Sequence, residues 1–236
     1  MEVSGTPARH TLVLFDIDGT LLSAGKAARE SVLTALAEVY GWKPVNGNTH
    51  EFSGKTDPQI LRELVEEGVG RERCEALLSR ALDRYLEEFA RRLAPETVVT
   101  KPGVPALLER LAAEPGVTLG LLTGNLERGA RMKLEPPGLN PYFPFGAFGS
   151  DSADRYSLPA IALGRARQRS GRTYSGKAVV IVGDSIHDVL CGRSLGVRAV
   201  AVATGPTPAA RLAETQPDAL LESFADVDAA VEAILG

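Results

Sequence analysis

The stretch TLVLFDIDGT, residues 11–20, decides the fold. Leu12 to Phe15 are apolar without interruption, which suits a strand buried on both faces rather than one with a wet side. The run ends abruptly in two carboxylates separated by a single residue, Asp16 and Asp18, followed by Gly19 and Thr20. Charges that close repel each other, so the arrangement calls for a cation, a reacting group, or both.

Three more runs share the character of the first: VTLGLL at 117–122, AVVIV at 178–182 and RAVAVA at 198–203. Short apolar runs bounded by Gly or Asp and separated by helical patterns predict parallel strands covered on both faces. The expected class is α/β, a doubly wound Rossmann-like parallel sheet core in helix-sheet-helix layers. Between the first two strands the pattern is helical. Val32, Leu33, Leu36, Val39 and Tyr40 share one face, and Leu78, Leu82, Tyr85, Phe89 and Leu93 share another. Asp57 before Pro58 predicts an N-cap with proline at the first helical position. This segment is too long for a simple crossover and has its own apolar faces. It predicts a small inserted α-helical domain over 23–95, with the core made of 1–22 and 96–236. The KPGVP turn at 101–105 and a helix over 104–113 return the chain to the sheet.

At 236 residues the chain exceeds one typical domain and falls short of two, which fits a single core with an insertion. A hydrophobic content of 44% with 24% charged residues fits a globular chain and argues against disorder. The formal charge of −4 argues against a nucleic-acid partner, and the basic runs RRL and GRARQRSGR read as solvated helix faces. No apolar run approaches the ~18 residues of a membrane span, and the first ten residues lack the apolar segment of a signal peptide. A cytoplasmic location is expected, with no membrane partner. Cys74 and Cys191 are too few for a disulfide framework, and His10, His50 and His187 are widely spaced. Any metal must therefore be held by oxygen.

In open parallel sheets, ligands bind beyond the carboxyl ends of the strands. Those ends carry Asp16, Asp18, Gly19 and Thr20; then Thr123, Gly124 and Asn125; then Asp184, Ser185 and Asp188. Each set alone could be turn or cap chemistry, but parallel strands would deliver all three to one rim.

With DIDGT at 16–20, LLTGN at 121–125 and GDSIHD at 183–188 in that order, the chain resembles the haloacid dehalogenase superfamily, in its helical-cap phosphatase branch. The resemblance covers nearly the whole chain, because that branch carries its cap after the first motif. It implies that Asp16 is a nucleophile forming an aspartyl phosphate. It implies that Asp18 is general acid, then general base, which points to phosphorus rather than halide. Mg²⁺ would be held by Asp16, Asp184 and the main-chain carbonyl of Asp18, with Asp188 behind them. Thr123, Gly124 and Asn125 would bind phosphate, Gly124 allowing close approach. The family's further cation is usually lysine. Here GSDSADRYSLPAIAL offers Arg155, whose forked guanidinium can hold carboxylate and phosphate together, and Lys133 is the second candidate.

The loop SGKTDP at 53–58 is not a phosphate-binding P-loop, since Thr49 stands where that signature needs glycine. Lys55 and Thr56 are instead expected to touch substrate. His187 is expected as an exposed helix residue and Cys191 as a packed side chain. Trp42, Tyr142, Phe143, Phe145 and Phe148 are expected as core or domain contacts. The expected partner is a small phosphorylated metabolite, with sugar phosphates and phosphoglycolate suggested by resemblance. Three alternatives stay open: a β-phosphoglucomutase-like mutase, a phosphonatase using a Schiff-base lysine such as Lys55, and a non-catalytic binding module. The sequence does not set the oligomeric state.

Overall fold

The computed structural model describes residues 10–236. In chain order the elements are β1 (Thr11–Phe15), β2 (Leu22–Ser23), α1 (Ala27–Tyr40), α2 (Asp57–Val69), α3 (Arg71–Arg92), β3 (Val99–Thr100), α4 (Val104–Ala113), β4 (Val117–Leu122) and α5 (Glu127–Leu134). They continue with β5 (Gly146–Ala147), α6 (Leu158–Ser170), β6 (Val179–Gly183), α7 (Ile186–Cys191), β7 (Arg198–Val202), α8 (Ala209–Glu214), β8 (Ala219–Leu221) and α9 (Val227–Leu235). Residues 1–9, which the expected core span includes, lie outside the described residues.

Six strands form a parallel sheet in the order β5-β4-β1-β6-β7-β8. Successive side chains on a strand face opposite ways, and here both faces are covered. Val13, Phe15, Leu119, Leu121, Val180 and Val182 pack against α4 and α9 through Leu107, Leu111 and Ile234. Leu12, Leu14, Leu122, Val179 and Ile181 pack against α6 through Leu158, Ala162 and Ala166. That two-sided burial is why the strands read as unbroken apolar runs. β1 sits centrally, with Phe15 opposite Leu121 of β4 and Val182 of β6.

The four expected strands form, β6 running one residue later than read and β7 ending at Val202. The edge strands β5 and β8 were not anticipated, because two or three residues carry no periodic signal. Nor was the antiparallel pair β2–β3, which joins Leu22 to Thr100 and Ser23 to Val99 where the chain leaves and rejoins the sheet layer.

Helices α1, α2 and α3 enclose an apolar cluster of their own, including Val32, Leu36, Tyr40, Leu61, Leu64, Tyr85 and Phe89, to which the core contributes Leu126. Trp42 donates from Nε1 to the Leu64 carbonyl at 3.2 Å. Phe143, Phe145 and Phe148 are buried, and so is Cys191. Two expectations need correction. The N-cap of α2 is Thr56, whose extended backbone lets Oγ1 accept from the Gln59 amide, so Asp57 and Pro58 are the first two helical residues. His187 is half-buried, not exposed, because Gly54 packs on its ring. Gly54 has φ +71°, which favours glycine, and a Cβ there would lie 2.6 Å from both His187 and Ser185. No helix among the described residues is long and apolar enough to cross a membrane.

Candidate active site

The sheet brings the three expected strand ends to one rim. The amide of Asp16 donates to the Val182 carbonyl at 2.9 Å, so its carboxylate emerges beside Asp184, which directly follows β6. Asp16, Asp184 and Asp188 each offer an oxygen within 4.8 Å of the others, and all three residues are buried. Burial pushes the Asp16 carboxyl up to about 7, aided by the charge of Asp188 and opposed by Arg155. Burial likewise pushes Asp184 up to about 8, with Asp16 and Asp188 adding to it.

These residues fit a hard cation. Thr20 donates to Asp184 Oδ1 at 3.0 Å, but Asp184 Oδ2 is buried with no hydrogen-bond partner. Gly19, with φ +88°, and Gly205 both lie against that carboxylate, and a Cβ on either would collide with it. Buried, mutually repelling oxygen donors with an unsatisfied lone pair are what a divalent metal would satisfy. Asp188 lies in the same cluster. Its Oδ2 accepts from the Ser185 amide at 2.9 Å, closing a capping box at the start of α7.

Both candidate cations are buried at the site. Arg155 is 3% exposed and donates to Asp16 Oδ1 at 3.2 Å and to Asp188. Burial alone would lower its pKa, but Asp188 and Asp16 outweigh that and hold it above its usual value. Lys133, on α5, reaches a different carboxylate. Its Nζ donates to Asp18 Oδ2 and to Asn125 Oδ1, each at 2.6 Å. Asn125 Nδ2 in turn donates to Asp18 Oδ2 at 2.7 Å and to Thr123 Oγ1 at 2.8 Å. The two carboxylates that opened the sequence are thus parted, Asp16 facing the acidic cluster with Arg155 and Asp18 facing Lys133 and Asn125. The Asp18 side chain is 45% exposed, so it stays open to a ligand.

The helical insertion closes over this rim through residues 53–58. Lys55 presses its carbonyl against Gly124, so closely that a Cβ on Gly124 would clash. The Asp57 amide donates to the Gly124 carbonyl at 2.8 Å, and Asp57 Oδ2 accepts from the Leu126 amide at 2.8 Å. Burial pushes Asp57 up to about 6, against the pull of Lys133. The expectation for Thr56 is corrected. Thr56 is fully buried, and its hydroxyl caps α2 and donates to the Ala153 carbonyl at 2.7 Å, so it is not free for substrate. Lys55 does line the cavity, with Nζ paired to Glu63 at 2.5 Å.

The cavity measures about 690 Å³ and reaches Asp16, Asp18, Lys133 and Arg155 on the core side and Phe52, Lys55 and Ile60 on the helical side. Several of its residues were not singled out from the sequence. Thr204 and Gly205 follow β7, so applying the strand-end rule to the fourth strand would have found them. Lys101, which donates to the Thr204 carbonyl at 2.6 Å, carries no such signal, and Asp57 reads from the sequence only as a helix cap.

The chain belongs to the haloacid dehalogenase-like hydrolase family, whose model matches residues 13–202. It is 28% identical over 218 residues to phosphoglycolate phosphatase of Pseudomonas fluorescens, covering 90% of this chain and 76% of that one. It is 26% identical over 222 residues to pyrophosphatase PpaX of Bacillus velezensis, covering 94% and 96%. Among solved structures, a hydrolase from Pseudomonas syringae superposes with a TM-score of 0.71 at 18% identity, over 96% of this chain and 100% of the other, a likeness of fold. The protein is thus a hydrolase of a family with phosphatases among its members.

Proposed function

We propose that the protein is a Mg²⁺-dependent phosphatase that hydrolyses a small-molecule phosphomonoester through an aspartyl-phosphate intermediate. One observation carries this reading: the paired aspartates at the end of β1 are held apart by two different buried cations. Asp16 is placed to attack phosphorus, its oxygen forming the new bond while the ester oxygen leaves. Asp18, half-open to the cavity, gives that oxygen a proton and later takes one from the water that cleaves the acyl phosphate. Arg155 orients Asp16 and offers its remaining donor capacity to phosphate oxygens. Thr123, Gly124 and Asn125 form the phosphate side of the cavity.

A divalent cation, Mg²⁺ in our reading, would be held by Asp16, Asp184 and the main-chain carbonyl of Asp18, and would offset the charge of phosphate meeting carboxylate. Asp188 supports this set from behind. Residues 23–95 would act as the cap that opens to admit substrate and closes to exclude bulk water. Among the described residues, 10–22 and 96–236 would make up the core. A soluble phosphorylated metabolite, met in the cytoplasm, is the partner this reading requires. Phosphoglycolate is the first substrate to try, given the names of the relatives. Lys55 Nζ is engaged by Glu63 at 2.5 Å, whereas a Schiff-base phosphonatase needs a lysine amine free to attack a carbonyl, which disfavours that reading.

The test is phosphate release from an aryl phosphate, with Mg²⁺, with EDTA, and for Asp16→Asn. Metal-dependent release that falls by ~10³-fold or more in the variant is expected. Undiminished release by Asp16→Asn would overturn the nucleophile assignment.

A further inference from the structure

The cap wall of the cavity is built from a segment with no regular structure, residues 47–55, between α1 and α2. One end of it is gripped by a single side chain that borders the same cavity. Arg29 of α1 donates from Nη1 to the Gly47 carbonyl and from Nη2 to the His50 carbonyl, each at 2.7 Å. The same guanidinium lies 3.9 Å over the centre of the Phe52 ring. Among the described residues no carboxylate pairs with it. Two carbonyls and one aromatic face, all from the loop, are what its planar fork engages. The far end of the loop is tied to α2, where Glu63 accepts from Lys55 and Gln59 and meets His50 Nε2 at 2.9 Å. Between these two anchors the loop presents His50, Phe52 and Lys55 to the cavity, opposite Asp18.

We propose that Arg29 is a specificity-determining positioning residue: it holds the 47–52 turn so that Phe52 and His50 form the wall against which the substrate's leaving group lies. The inference rests on the phosphatase reading above. Arg29 spends both terminal nitrogens on the loop, so it acts through Phe52 and His50 and not by touching the reacting atoms. Lysine cannot replace it, because one ammonium cannot bridge two carbonyls while covering a ring.

The separation of wall from phosphate site gives the test. For Arg29→Ala and Arg29→Lys, KM for 4-nitrophenyl phosphate should rise about tenfold, since a shifted wall misplaces the ester. Competitive inhibition by inorganic phosphate, which has no leaving group, should keep its wild-type constant. Added guanidinium ion should lower the KM of Arg29→Ala towards wild type, whereas ammonium should not. An unchanged KM, or a phosphate inhibition constant that rises in parallel with it, would overturn the proposal. Failure of the wild-type protein to hydrolyse phosphate esters would instead sink the phosphatase reading. Hydrogen exchange then reads the positioning role directly: amides of 47–55 should exchange faster in Arg29→Ala, and unchanged exchange would reject it.

Discussion

At the scale of single residues, the site sorts its carboxylates by what faces them. Asp16 and Asp18 are two residues apart, yet one meets a guanidinium inside the acidic cluster and the other a lysine at the cavity edge. That difference makes the assigned roles separable. Asp18→Asn should still accept a phosphoryl group from esters with good leaving groups while losing turnover on poor ones, which burst kinetics on a nitrophenyl and an alkyl phosphate will show. Equal losses on both would remove Asp18 from proton transfer. Arg155→Ala leaves Asp16 and Asp188 buried without their shared cation. Removing one partner of a buried pair costs about 3 kcal/mol, so denaturant unfolding should report a loss of that order together with weaker phosphate affinity. Unchanged kinetics in that variant would transfer the phosphate role to Lys133.

At the scale of elements, the contact between residues 53–58 and the strand-end loops couples the helical insertion to the Thr123–Asn125 side of the cavity. Gly124 carries this coupling because only a residue without Cβ lets the Lys55 carbonyl approach. Gly124→Ala should push the loop away and lower kcat/KM by about tenfold or more, since small displacements of positioning groups are costly. Slowed turnover with a normal circular dichroism spectrum is the expected pairing; wild-type kinetics would show that the loop need not seat there. Thr56→Val removes the cap of α2 and the bond to Ala153 together. Thermal unfolding should show a loss of about 1–2 kcal/mol, a magnitude typical of a lost cap.

At the scale of the molecule, the buried carboxylates tie stability to pH. Asp16, Asp184 and Asp57 are pushed up to about 7, about 8 and about 6 respectively. Between the ordinary carboxyl value of about 4 and those values, the folded chain keeps protons that the unfolded chain has released. The stability linked to these groups is therefore fully present below about 4 and declines as pH rises towards 8. Thermal unfolding in EDTA should show Tm falling across that window. A divalent metal held by this cluster would bind the deprotonated carboxylates, so the stabilising effect of added Mg²⁺ should grow as pH rises. A Tm indifferent to Mg²⁺ at pH 8 would argue against the acidic cluster as the metal site.

The class of fold and the location of the rim were determined by the sequence alone. Strands buried on both faces must be continuously apolar, and TLVLF, VTLGLL and VVIV announce themselves for that reason. Parallel strands must also end on one side, so Asp16, Asp18, Thr123, Asn125, Asp184 and Asp188 could be gathered before any coordinate was known. Tertiary structure decided what each of them meets. Arg155 with Asp16 and Lys133 with Asp18 are contacts between residues more than a hundred positions apart, and no local pattern encodes which cation reaches which acid. The same holds for Asp57, which reads locally as a helix cap but instead accepts from the Leu126 amide, 69 positions along the chain. Arg29 likewise reads as an ordinary polar helix residue until the loop it grips is folded back onto α1. Periodicity reports burial along one element, whereas a site is made of side chains from several, and their pairing is settled only when those elements pack.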